Sequence, residues 1–321
     1  MRYANISGIG SYLPSKLLTN YDLEQLVSTS DQWIMERTGI KQRHIANDEE
    51  TSSSMGEHAA RQALDDAQID YNDLDLIIVA TCTPDSFFPS TACLLQQRLG
   101  ITRNIPAFDI SAACAGFIYA LQIAQQYIVN GTAQHVLITC SEVMSRTVDW
   151  QNRSTCILFG DGAGAVVLSN SERPGILDTN VYADGQYKDL LYLSNHLAGQ
   201  QVKPMPQHLY MQGNEVFKLA VRALGDLVDR TLADNNMTKQ DIDWLVPHQA
   251  NIRIINAIAK RLDLPMERVI LTIAEHGNTS AASIPLALHT GIQQGQIKRG
   301  DMLLCEAFGA GLAWGSVLIQ Y

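Results

Sequence analysis

The chain has 321 residues, 46% hydrophobic and 17% charged, with a formal net charge of −10 at pH 7. This is a globular composition, long enough for two domains or two fused halves, and its acidity excludes general nucleic-acid binding, which needs a basic footprint. No uninterrupted apolar run reaches the ~20 residues of a membrane span, and six cysteines with no CxxC pair form neither a zinc spacing nor a disulfide framework.

The N-terminal "MRYANISGIGSYLP" alternates and breaks at Gly and Pro. It reads as a strand and turn rather than a secretory signal, so a cytoplasmic protein is expected. A helical stretch, "RQALDDAQIDYN", then leads to the short apolar run "LIIVA" (76–80). "PAFDI" and "SAACAGF" follow, the latter opening a long apolar helix, and then "VLIT" (136–139) and "GDGAGAVVLS" (160–169). Residues 185–212 are the least patterned and read as a surface excursion near a site.

The second half repeats this order. "DIDWLVPHQA" (241–250) resembles "DLDLIIVATCTP" (73–84), "SAAS" (280–283) resembles "SAAC" (111–114), and "GDMLLCEAF" (300–308) resembles "QHVLITCSE" (134–142). "GAGLAWGSVLI" (309–319) then resembles "GDGAGAVVLS". The offset stays near 168 residues until late, which predicts an insertion at about 145–157 in the first half. Continuous apolar runs suit strands covered by helices on both faces, so an α/β protein of two similar halves, 1–170 and 171–321, is expected, with sheets sandwiched between helix layers.

Cys114 lies where a strand hands over to a helix, and the repeat pairs it with Ser283. By itself it reads first as a packing cysteine, and only in the second place as a nucleophile whose thiolate a helix N-terminus favours. His248 follows the strand "DWLV", and Asn278 sits in the turn before the second central helix. Strand ends and helix starts on one sheet edge are where α/β folds bind ligands, so the three residues are expected to converge.

With these residues the chain resembles the β-ketoacyl-acyl-carrier-protein synthase III family of thiolase-like condensing enzymes. The carrying stretches are "GIGSYLP" (8–14), "TSDQWIMERTGIKQRHI" (29–45), "FPSTACLLQQRLG" (88–100), "DISAACAGFIYAL" (109–121), "FGDGAGAVVL" (159–168), "GNEVFK" (213–218), "DWLVPHQANIRI" (243–254), "HGNTSAASIPLAL" (276–288) and "EAFGAGLAWGS" (306–316). They span the chain in order.

The resemblance implies a five-layered α-β-α-β-α sandwich and a Cys114-His248-Asn278 triad. It implies condensation of a short acyl-CoA, expected to be acetyl-CoA, with malonyl-acyl-carrier protein, initiating fatty acid synthesis, with no cofactor. Backbone N–H groups of Cys114 and of the loop near Ala310 would hold the oxyanion. Phe308 would wall the malonyl carboxylate, unless it is simply core. Trp33, Arg37 and Arg153 match CoA-head contacts, although "QNRST" (151–155) departs from the family pattern at Asn152 and Ser154. Gly213, Phe217, Ala250 and Asn251 match the pantetheine arm. Arg253, Lys260 and Arg261, and on another helix Lys218, are the cations for an acidic carrier, with a solvated helix face the other reading. Phe88 matches an acyl-pocket limit supplied across a homodimer. The alternatives are a same-fold enzyme of specialised metabolism (alkylquinolone or polyketide-like) and a non-catalytic partner subunit, which would be expected to lack Cys114.

Overall fold

The structure is a computed structural model that describes residues 2–195 and 207–321. The first half runs β1 (Tyr3–Tyr12), β2 (Lys16–Thr19), α1 (Asn20–Glu24), α2 (Asp31–Thr38), β3 (Gln42–Ile45), α3 (Ser52–Ala67), β4 (Leu76–Ala80), α4 (Thr91–Leu99), β5 (Ala107–Ile110), α5 (Gly116–Val129), β6 (His135–Val143), α6 (Arg153–Cys156) and β7 (Asp161–Ser171). The second runs β8 (Ile176–Ala183), β9 (Leu191–Tyr192), β10 (Tyr210–Met211), α7 (Gly213–Asp234), β11 (Trp244–Pro247), α8 (Ile252–Arg261), α9 (Ile273–His276), α10 (Ser283–Gln293), β12 (Met302–Gly309) and β13 (Ala313–Gln320).

Two mixed sheets dominate. Their strand orders are β1-β7-β6-β4-β5 and β8-β13-β12-β11. In the second, a parallel bridge from Leu245 to Val269 stands where β5 stands in the first. Each residue of β4 is buried, and alternation sends its side chains to two different cores. Ile77 and Val79 meet α3 and α4 on one face; Leu76, Ile78 and Ala80 meet α5 and α10 on the other. The outer face of the second sheet packs on α7 and α8 through Leu245, Leu304 and Leu318. The layers are therefore α3/α4, sheet, α5/α10, sheet, α7/α8, the expected five-layered sandwich.

Packing explains "GIGSYLP". A Cβ on Gly8 would stand 2.2 Å from the carbonyl oxygen of Ala63, and one on Gly10 2.1 Å from that of Ala59. Only glycine lets α3 lie this close on β1. The late drift of the repeat also has its place: residues 144–160 join β6 to β7, where only 310–312 join β12 to β13.

The structure corrects one correspondence. Ala113 (φ 46°) and Ser280 (φ 51°) both hold the left-handed backbone that opens a 3-10 turn before a central helix. That register pairs Cys114 with Ala281 and Gly116 with Ser283. The match of "SAAC" to "SAAS" is two residues out, because small residues repeat too readily to fix register.

Candidate active site

The strand ends and helix starts of the two halves meet at a cavity of about 1990 Å³. Cys114, His248 and Asn278 line it together, from three segments far apart in the chain. Phe308, Ala310, Arg37, Phe88, Gly213, Phe217, Lys218, Ala250, Asn251 and Arg253 line it too. Trp33, Arg153, Lys260 and Arg261 do not. Of the excursion at 185–212, Lys188 and residues 191–195 with Leu209 and Met211 line the cavity, and 196–206 lie outside the described residues.

Cys114 is buried in the turn Ala113–Ala115 that runs into α5. Burial pushes its thiol up to about 12, against a lowering hydrogen bond from Ser280. A helix N-terminus was expected to favour the thiolate; burial works against it and favours the thiol. A Cβ on Gly309 would stand 2.7 Å from the backbone nitrogen of Cys114, so glycine at the end of β12 lets the "FGAG" loop, with Ala310, close against Cys114.

The backbone N–H of His248 donates to the Glu306 carbonyl at 2.8 Å, continuing the β11–β12 pairing beyond Pro247. Its Nδ1 lies 2.6 Å from Ser283 Oγ, and its buried Nε2 has no protein partner. Burial pulls its pKa down to about 3, so the imidazole is neutral near pH 7. Asn278 is gripped by the 144–160 connection: its N–H donates to Leu158 and its carbonyl accepts from Gly160. Its Oδ1 accepts from Ser280 N–H at 2.9 Å, which leaves the amide nitrogen to donate into the cavity.

Sequence reasoning passed over Gln249 and Glu306. Gln249 is fully buried and uses its whole amide, donating to Pro247 and Ile270 and accepting from Thr272 and Ile273. It ties the His248 loop to the segment leading to Asn278; its place inside "PHQAN" was the available signal. Glu306 lines the cavity fully buried, with neither carboxyl oxygen bonded to the protein, and burial raises its pKa well above the carboxylate range. Burial disfavours its charged form, and no sequence signal separates it from a surface glutamate.

The mouth carries the cations unevenly. Trp33 on α2 has the Arg153 guanidinium 4.4 Å and that of Arg37 5.6 Å from its ring centre. Asn251 caps α8 and donates to the Arg37 carbonyl at 3.0 Å, joining this platform to the cavity. Arg253 covers the Phe217 ring at 4.9 Å. Lys260 is exposed. Arg261 and Lys218 are not free cations: Arg261 is paired with Asp229 on α7, and Lys218 with Glu215. The basic face expected of α8 is thus narrower than its sequence, because residue 261 turns toward α7. Phe308 packs on the α7/α8 core with one face and on the cavity with the other. Phe88 is 86% exposed in this chain.

Residues 108–185 match the family described as 3-Oxoacyl-[acyl-carrier-protein (ACP)] synthase III, and 232–321 match its C-terminal counterpart. The chain is 60% identical over 320 residues to the beta-ketoacyl-[acyl-carrier-protein] synthase III of Methylococcus capsulatus, covering all of this chain and 99% of that one. Its fold superposes on the crystal structure of 3-oxoacyl-[acyl-carrier-protein] synthase III from Aquifex aeolicus with a TM-score of 0.94, at 49% identity over 99% and 100% of the two chains. The Pseudomonas aeruginosa synthase III structure gives 0.92 at 42% identity, over 99% and 98%. Whole-length identity, layered fold and shared motifs converge, and this chain belongs to the β-ketoacyl-acyl-carrier-protein synthase III family.

Proposed function

We propose that Cys114, His248 and Asn278 carry the chemistry of this initiating condensing enzyme. The observation behind the assignment is their convergence on one cavity from distant segments. Cys114 Sγ attacks the thioester of an acyl-CoA, taken to be acetyl-CoA. The new S–C bond replaces C–S(CoA), and the thiol proton leaves as CoA–SH. Backbone N–H groups of Cys114 and Ala310 hold the oxyanion.

Malonyl-acyl-carrier protein then enters. Its C–CO2 bond breaks, the charge moves onto the thioester oxygen, and His248 Nε2 and Asn278 Nδ2 donate to it. One such fixed donor is worth ~3–4 kcal/mol of barrier. Phe308 gives the departing carboxylate an apolar wall that favours neutral CO2. The enolate carbon attacks acyl-Cys114, releasing 3-ketoacyl-carrier protein and a thiolate that takes one proton from solvent.

CoA lies with its adenine on Trp33 and its phosphates on Arg37 and Arg153. Its arm runs past Gly213, Phe217, Ala250 and Asn251 to Cys114. This reading supplies acyl-CoA as a substrate and calls on no metal or cofactor. Arg253 and Lys260 receive the acidic carrier protein; Arg261 and Lys218 contribute less, their charge being offset. The chain works as a homodimer in the cytoplasm. Support for the dimer is the outer edge of β5, an end strand of half-exposed residues beside the exposed Phe87 and Phe88. We assign the halves to 1–170, bearing the nucleophile, and 171–321, bearing His and Asn.

Intact mass after incubation with acetyl-CoA, followed by malonyl-acyl-carrier protein, tests the reading. One acetyl adduct, absent in Cys114→Ala and discharged as acetoacetyl-carrier protein, is expected. An adduct that malonyl-carrier protein cannot discharge overturns it.

A further inference from the structure

Ser283 opens α10 and is 2% exposed. A serine at a helix start ordinarily caps its own helix, accepting an N–H two or three residues on. Ser283 does not. Its Oγ accepts the backbone N–H of Gln249 at 3.3 Å and lies 2.6 Å from Nδ1 of His248. Among the described residues that hydroxyl makes no other hydrogen bond. Its one proton therefore goes to Nδ1, and a neutral imidazole accepting at Nδ1 carries its own proton on Nε2. Nε2 is the nitrogen left without a protein partner in a residue that lines the cavity.

The duplication sharpens the point. In the register set by Ala113 and Ser280, Ser283 corresponds to Gly116, and in the match of "DLDLIIVATCTP" to "DIDWLVPHQA" His248 corresponds to Ala80. A Cβ on Gly116 would stand 3.0 Å from the Ala80 Cβ. The first half thus has only the Ala80 methyl facing a bare glycine at this place, with no room for a second side chain. The second half fills it with an imidazole and a hydroxyl.

We propose that Ser283 is a positioning residue that holds His248 in the Nε2–H tautomer, ready to donate to the enolate oxygen formed in decarboxylation. In acylation the thiol proton then passes to the departing CoA sulfur as S–C forms and C–S(CoA) breaks. In condensation the Nε2 proton stays on nitrogen and stabilises the enolate oxygen. The inference rests on the catalytic reading of His248 above.

The test measures the two half-reactions separately in wild type, Ser283→Ala, Ser283→Thr and His248→Ala. Rapid-quench mass spectrometry follows acetylation of Cys114, and CO2 release from malonyl-acyl-carrier protein follows decarboxylation. Loss of one ordering hydrogen bond predicts decarboxylation about tenfold slower in Ser283→Ala, acetylation within about twofold of wild type, and recovery in Ser283→Thr. Equal loss in both half-reactions overturns the inference. Unchanged decarboxylation in His248→Ala overturns the catalytic reading beneath it. Nitrogen-15 NMR of histidine-labelled wild type needs no variant of Ser283: a protonated Nε2 and bare Nδ1 on His248 are expected, and a protonated Nδ1 overturns the inference.

Discussion

Cys114 and His248 rest as a neutral pair, since burial raises the thiol and lowers the imidazole. Alkylation of Cys114 by iodoacetamide, followed in a Cys93→Ser background because Cys93 is exposed, is expected to accelerate about tenfold per pH unit up to pH 10, tracking the thiolate fraction. A plateau below pH 9 would mean that the helix N-terminus outweighs burial after all. The imidazole has a stability consequence. His248 folds with a pKa of about 3, and the half-buried His276, beside His44, with about 4, both below their unfolded values. The stability they contribute is full above the unfolded pKa and is lost as pH falls from about 6.5 toward 3. Urea midpoints measured between pH 7 and 5 should decline, and His276→Gln should decline less steeply.

Close approach decides the behaviour of whole elements. A Cβ on Gly10 would enter the backbone of α3, so Gly10→Ala should cost about 1–3 kcal/mol in denaturant unfolding by overpacking. Gly309→Ala meets the backbone of Cys114 instead. It should lower kcat with a smaller loss of stability, a split that kinetics and unfolding on one preparation would resolve. On α8 the expectation differs residue by residue. Arg253→Ala should raise the KM for malonyl-acyl-carrier protein several-fold and leave Cys114 acetylation unchanged, since rim charges act on encounter with a partner. Arg261→Ala should do little, its charge already being offset by Asp229. Equal effects of the two substitutions would show that the carrier reaches the whole helix.

For the whole molecule, light scattering should return a dimer mass if β5 pairs with its copy, and Ile110→Asp on that edge should shift it toward monomer. Much of this architecture was legible in the chain. Runs such as "LIIVA" have to be covered on both faces, so burial demanded helices either side and the repeat demanded that it happen twice. Cys114, His248 and Asn278 were legible for the same reason: strand ends and helix starts of like halves share a sheet edge. What the linear order left open is whatever depends on surroundings. The register of the small-residue turns needed backbone angles at Ala113 and Ser280, because alanine and serine repeat without marking position. The protonation of Cys114, His248 and Glu306 needed depth, because desolvation is a property of everything packed around a group. Arg261 and Lys218 needed neighbours, because a cation counts toward a partner only when no carboxylate already answers it. Sequence by itself determined the layers and pointed to the residues that meet at the cavity, since patterning and chemistry are local. Only the tertiary structure decided which charges are free, which protons stay bound and which hydroxyl holds the histidine, since those are set by contacts between segments far apart in the chain.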